Sequence, residues 1–373
     1  MNKPTQPASA NPRRARRANR AQQAPRAQRE RRAERGDRAG RPPAAGLHPV
    51  PLGLLRPIRI DLCPEFEVVL ADYAGAIEAG PRPGESEWEW NRRKGRFNTS
   101  RTAIDIARAC GGRVVPSHFH YEPSGRIRLD NPSLQQMPRC FRRYIFASPG
   151  HLFVDSDLSS AHAAIAAFRS GDVALRDAVL AGRLYDDLAR DWGLPKQNVK
   201  IIVLGMLNGM MPGGVGKELA AAGADPERGE RVWGAFFVRF SALFGFMQGL
   251  RSSYDSGKPC VPLLASNPWR VSTLTRTTGD IEPKSWRSLA FAMWASVEAD
   301  ILADTMQRLI PVFGHLGGGL CLPMYDGLLC EFPCDNAEEG RRAVEWAMRE
   351  ALAAAGVVAN VKTCDPRATW GER

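Results

Sequence analysis

Apolar and polar positions change their period several times along this chain, and each change marks an element. Leu152 to Val154 form a short apolar run that meets Asp155 and Asp157, followed by the small-residue stretch "LSSAHAAIAAF". Residues 151–180 therefore read as a strand and then helix. Residues 195–250 read as mostly helix, broken at "MMPGG", where Pro212 and two glycines end a helical run. Residues 284–310 carry a long apolar-periodic helix. Then "LCLPMYDGLLCEFP" alternates around a turn-like "YDG", which is a hairpin signal. A last helix, "AEEGRRAVEWAMREALAAAG", precedes a short strand, "VANVKT". Upstream, residues 47–110 mix apolar runs with helix-like stretches. The order predicts an α+β domain with an antiparallel sheet, interrupted by a helical subdomain.

Composition adds a division of the chain. At 373 residues and 44% hydrophobic content there is room for more than one core. The formal charge is +11, and residues 1–41 hold nearly all of it: twelve Arg and Lys3 stand against Glu30, Glu34 and Asp37. The first 46 residues have almost no large apolar side chains, so they are expected to be disordered. Their Arg density suits phosphate binding without sequence readout. A solvated extension without function and a transit peptide are the competing readings. The second is weakened by little Ser and no apolar face. No apolar run approaches the roughly 18–20 residues a membrane span needs, and no secretory signal is visible. Of the eight cysteines only Cys330 and Cys334 are close, and no second pair completes a zinc spacing. Reduced, mostly buried thiols and a cytoplasmic location are expected.

Two carboxylates carry the chemistry. Asp157 is expected at a strand end and Asp326 at the hairpin turn; if the strands are neighbours, both project from one sheet edge. A helix N-cap is the bland explanation for Asp155 and Asp157. Close carboxylates repel unless a cation lies between them. Hard oxygen ligands favour Mg²⁺, which leans on one or two carboxylates plus substrate phosphates. In "KQNVKIIVLGMLNG", Lys196, Lys200, Leu204 and Asn208 fall at helical spacing, giving one face two cations. Such lysines can grip a triphosphate as point charges, although an ordinary amphipathic helix would show them too. The basic, aromatic segment "GESEWEWNRRKGRFNTSR" reads equally as a nucleic-acid contact and as a surface loop.

Together these segments resemble the family A DNA polymerases, the DNA polymerase I family, over roughly residues 111–373. "DLSSAHAAIAAFRSGD" is similar to the first palm motif, Asp-Tyr-Ser-Gln-x-Glu ending in Ser-Gly-Asp. The fingers pattern, Arg, Lys and then Tyr-Gly, is matched by Lys196, Lys200, Asn208 and Gly209, with Leu204 in the aromatic place. "WGAFFVRFSALFGFM", "YDGLLCEF", "GRIRLDNPSLQQMPR" and "RSLAFAMWASVEADIL" resemble four further segments in the family's order. The resemblance implies a polymerase right-hand fold with antiparallel palm sheet, helical fingers and a reduced thumb. It divides the chain into the tail (1–46), a reduced thumb and N-terminal palm approach (47–150), a first palm part (151–180), fingers (181–262) and a second palm part (263–373). The resemblance implies that residues 1–110 leave no room for the family's proofreading exonuclease.

By the same resemblance, Asp157 and Asp326 would bind two Mg²⁺ ions, with Mn²⁺ as a substitute, and Lys200 would meet the phosphates and protonate the leaving group. Lys196, Leu204, Asn208, His162, Tyr185 and Arg142 (or Arg143) would line the nucleotide. Arg126, Asn131, Gln135, Gly209 and Arg287 would lie along primer and template. Asp155 has no family counterpart and is read as a support or cap. The departures are His162 and Asn208 where the family excludes a ribose 2′-hydroxyl, Leu204 for an aromatic, Phe291 and Ala295 for minor-groove amides, and Gly327 for a Glu. They imply a relaxed sugar pocket and weaker mismatch sensing. The implied activity is DNA-directed DNA polymerisation from dNTPs on a DNA primer-template in replication. A primase or RNA polymerase using rNTPs, and an inactive DNA-binding accessory subunit, are the alternatives.

Overall fold

The computed structural model describes residues 55–85, 87–122, 126–256 and 286–371. The Arg-rich stretch 1–46, Cys260 and the first part of the 263–373 palm segment lie outside the described residues. The chain begins with β1 (Ile58–Ile60), α1 (Pro64–Glu78) and α2 (Glu87–Ala109), then β2 (Arg113–Val114), β3 (His118–Tyr121), β4 (Ile127–Asp130) and β5 (Ile145–Phe146). The long strand β6 (His151–Leu158) follows. After it come six helices: α3 (Ala161–Ser170), α4 (Val173–Leu180), α5 (Leu184–Trp192), α6 (Lys196–Leu207), α7 (Pro212–Ala221) and α8 (Gly229–Arg239). The last elements are α9 (Ser241–Asp255), α10 (Trp286–Leu316), the hairpin β7 (Gly319–Pro323) and β8 (Gly327–Pro333), α11 (Ala337–Ala354) and β9 (Val361–Thr363).

The central sheet is antiparallel and runs β7-β8-β6-β9. Successive side chains of a strand point to opposite faces, and both faces of this sheet are covered. Val154, Leu158, Leu328, Cys330 and Phe332 enter a core shared with α3, α10 and α11. Phe153, Leu329, Cys321 and Leu322 enter a second core built from α1, α2, the β2-β1-β5 sheet and Trp370. That two-sided burial is why Leu152–Val154 and Leu328–Cys330 are continuous apolar runs rather than alternating ones. The region expected as a reduced thumb, 47–150, thus contains a helix pair and a small sheet packed on one face of the central sheet.

Two prolines behave differently from the sequence expectation. Pro212 does not end a helix. The break lies at Asn208–Met211, where Gly209 turns with φ +81°, and Pro212 opens α7 at a position where its missing N–H costs nothing. Pro311 sits inside α10, which continues to Leu316. A mid-helix proline loses one backbone bond, and the burial of Phe313 and Leu316 beyond it in the main core offsets that loss. Among the described residues no helix is long and apolar enough to cross a membrane.

Candidate active site

The site forms where β6 and β8 end together. Asp157 pairs with Gly327 across the ladder, and the Leu158 amide donates to the Asp326 carbonyl at 2.8 Å. The Asp157 and Asp326 side chains therefore leave adjacent strand ends. Asp326 is at an open turn, but protein crowds its carboxyl. Loss of water, then the negative charges of Glu298 and Asp157, push its pKa up to about 6, and Arg126 pulls the other way. A carboxyl destabilised as an anion in this way is what a cation relieves.

Neither Asp155 nor Asp157 caps a helix. The residue before α3 is Ser160, in the left-handed region at φ 56°, and its side chain makes no capping bond. Asp155 is buried and accepts from Arg367 at 3.0 Å, so it ties β6 to the C-terminal segment. Among the described residues no group of three or more His, Cys, Asp or Glu is arranged to hold a metal. The oxygen-only pair of Asp157 and Asp326 fits Mg²⁺, which takes few protein ligands, and does not suit Zn²⁺.

Helix α6 is amphipathic in the expected register. Val199, Ile202, Val203, Met206 and Leu207 are buried; Lys196 and Lys200 are exposed, with Leu204 and Asn208 half-buried on the same stripe. The helix packs against α3, which starts just after Asp157. Lys196 Nζ donates to Asp186 at 2.8 Å. Lys200 makes no hydrogen bond or ion pair with any described residue. Asn208 caps the helix end, and its Oδ1 is enclosed without a partner among the described residues. Gly209 lies under Trp286; a Cβ there would meet the indole at 2.5 Å.

His162 and Arg126 meet directly: an Arg126 guanidinium N–H donates to His162 Nε2 at 2.8 Å. Arg126 also donates to Glu298, and its guanidinium lies 5.0 Å from the Phe291 ring and 5.3 Å from the Tyr325 ring. Phe291 touches His162 edge-on at 6.0 Å. Glu298 was missed from the sequence. The signal was present: a carboxylate in the otherwise apolar run "AFAMWASVEA" on α10, with only 2% of the residue exposed.

Several other expected contacts point inward. Gln135 is 4% exposed; its amide accepts from the Leu129 N–H and donates to the Ile127 and Pro323 carbonyls. It braces the β4 end against the hairpin. Tyr185 is buried in the main core, and burial raises its hydroxyl pKa. Ala295 is fully buried, so no side chain at that point of α10 reaches a groove. Arg142 stacks over Trp370 at 4.2 Å and bonds the Met137 carbonyl, while Arg143 donates to the Tyr144 hydroxyl. Asn131 is exposed and donates to Ser117 Oγ at 3.0 Å. Arg287 is exposed in the first turn of α10.

No family model matches the chain. Its sequence is 26% identical over 247 residues to a thermostable DNA polymerase I of Thermus filiformis, covering 61% of this chain and 29% of that protein. It is 25% identical over 245 residues to the corresponding Thermus aquaticus enzyme, covering 60% and 28%. It is 20% identical over 240 residues to the DNA polymerase theta of Caenorhabditis elegans, covering 61% and 14%. The chain thus spans less than a third of the length of these relatives. In fold it matches the POL domain of Pol1 from M. smegmatis, solved with DNA primer-template and dNTP. The TM-score is 0.59 at 18% identity, over 76% of this chain and 52% of that one. In sequence the chain is similar to DNA polymerase I enzymes, and in fold it is similar to the POL domain of Pol1.

Proposed function

We propose that this chain performs template-directed nucleotidyl transfer, extending a primer 3′ end on a DNA template with dNTPs, in DNA replication. The observation that carries the reading is the Asp157–Asp326 pair at adjacent strand ends, with Asp326 held as a reluctant anion. Asp157 and Asp326 would hold two Mg²⁺ ions, or Mn²⁺ in their place; such ions neutralise phosphate charge and ease ionisation of an attacking hydroxyl. Lys200 is exposed and is the natural partner for the triphosphate, and its ammonium can donate a proton to the leaving pyrophosphate. Lys196, bound to Asp186, is a weaker second contact. Leu204, Asn208 and His162 would border the sugar. Arg126 lies beside that border, and Arg287, Asn131 and Gly209 would face primer and template, as would the first 46 residues through their charge.

The test is extension of a labelled primer on a DNA template with Mg²⁺, supplying dNTPs or rNTPs separately, with Asp157→Ala beside the wild type. Extension by dNTPs that the variant lacks supports the reading. Tight DNA binding without extension by either set would replace it with an inactive accessory subunit. A second reading, a primase or RNA polymerase, is favoured by one observation: no carboxylate or tyrosine occupies the sugar border at positions 162 and 208. Extension by rNTPs equal to or better than by dNTPs would put it first.

A further inference from the structure

Glu298 is a buried charge that the proposed mechanism does not use. Glu298 projects from the middle of α10, and its side chain is 2% exposed. A carboxylate that deep is stable only if it is paired. Its partner is Arg126, which donates from Nε at 2.7 Å and again from Nη2. The same guanidinium donates to His162 and lies between the rings of Phe291 and Tyr325. Four separate parts of the chain thus converge: the approach to β4, α3, α10 and the β7–β8 turn. Tyr325 is the residue before Asp326, so the arginine is held one residue from the carboxylate pair.

That placement creates a conflict. An arginine beside a carboxylate closes on it, given the chance, in a bidentate pair. Arg126 acts on Asp326 electrostatically but is bonded to Glu298 instead. Gly327 cannot carry the missing carboxylate, because a Cβ there would meet the Ser156 carbonyl oxygen at 2.3 Å. The negative charge of Glu298, on the facing helix, is felt at Asp326.

Resting on the reading of Asp157 and Asp326 as the cation site, we propose that Glu298 is a positioning residue for that site. It captures Arg126, so the guanidinium cannot close on Asp326, and Asp326 is kept for divalent cations. With Glu298 present, the three carboxylates outweigh the one guanidinium and the site holds net negative charge. Without it, Arg126 is a resident cation competing with the metal.

The test measures Mn²⁺ binding to the full chain by electron paramagnetic resonance, without DNA or nucleotide, alongside thermal unfolding and the Mg²⁺ dependence of extension. Glu298→Ala is expected to weaken Mn²⁺ binding about tenfold or more, because breaking a buried pair strands its partner. Glu298→Gln keeps the acceptor and loses the charge, so a smaller loss of about threefold is expected. Arg126→Gln added to Glu298→Ala should restore most of the affinity. A purely structural role for Glu298 would not produce that rescue. If Glu298→Ala fails to fold, Arg126→Gln alone decides: binding at least as tight as wild type supports the proposal, and weaker binding overturns it. Wild-type affinity in Glu298→Ala, or no rescue in the double variant, also overturns it. A wild type that neither binds Mn²⁺ nor extends a primer sinks the reading of the site itself; one that does both, with Glu298→Ala unchanged, sinks only the role given to Glu298.

Discussion

Asp157 stands opposite Gly327 in the β6–β8 ladder, and the glycine has no space for a side chain: a Cβ would lie 2.3 Å from the Ser156 carbonyl oxygen and 3.0 Å from Asp157 Cα and Cβ. The obstacle is backbone, which cannot rotate away. Gly327→Ala is therefore expected to lower stability by about 1–3 kcal/mol in denaturant unfolding, as overpacking does. Extension should fall with it, because the strand that sets Asp157 must shift. Gly327→Glu, which restores the family's residue, should be worse than Gly327→Ala in both measurements; higher activity in Gly327→Glu would contradict the packing seen here.

Asp326 predicts a pH dependence with a definite sign. Its carboxyl holds a proton more tightly folded than unfolded, so its contribution to stability is full below its ordinary pKa of 3.8 and is lost as pH rises to about 6. Asp326→Asn mimics the protonated form. It should raise stability at pH 8 by about 1 kcal/mol after solvent screening at this open turn, with little change at pH 4. The same variant should abolish extension. Melting curves at the two pH values check the first half and a primer assay the second.

Lys200 is exposed and makes no hydrogen bond or ion pair with a described residue, so Lys200→Ala should change stability by no more than about 0.5 kcal/mol. If it meets the triphosphate and delivers a proton, single-turnover incorporation should fall about a hundredfold or more. Lys196→Ala should lose less, because its ammonium already answers to Asp186. Equal losses in both would show that charge alone matters on that stripe.

Asp155 and Arg367 form a pair with side chains 7% and 11% exposed, joining β6 to the segment after β9. Asp155→Ala should cost about 3–5 kcal/mol, since it strands a buried guanidinium. The loss should appear in unfolding and in the Mg²⁺-independent circular dichroism alike. A stable Asp155→Ala chain with weakened Mn²⁺ binding would instead put Asp155 among the cation ligands.

The parts of this architecture that sequence revealed are those fixed by short-range pattern. The apolar run before Asp157, the Tyr-Asp-Gly turn and the four-residue spacing from Lys196 to Asn208 each carry their geometry with them. What sequence could not show depends on which face meets which neighbour. Gln135 and Tyr185 carry polar groups that look ready for a ligand, yet their elements turn them inward. Glu298 stands out as a carboxylate in an apolar run, but only the fold shows that its partner is Arg126, just before β4. The clash at Gly327 is likewise a property of two strands, not of one. Packing at Phe313 and Leu316 likewise carries α10 past Pro311, beyond the expected end at residue 310.

The order β7-β8-β6-β9 has a consequence for how the molecule comes into being. β6 is made first, but both strands that flank it lie downstream, and Asp326 follows Asp157 by roughly 170 residues. At synthesis rates of about 5–20 residues per second, β6 waits on the order of ten to thirty seconds on the ribosome with both edges unpaired. The Asp157 end of the site is thus born long before its partner. The nascent chain passes through an interval in which an apolar strand has no sheet to join, and that interval is when this protein is most in need of a chaperone.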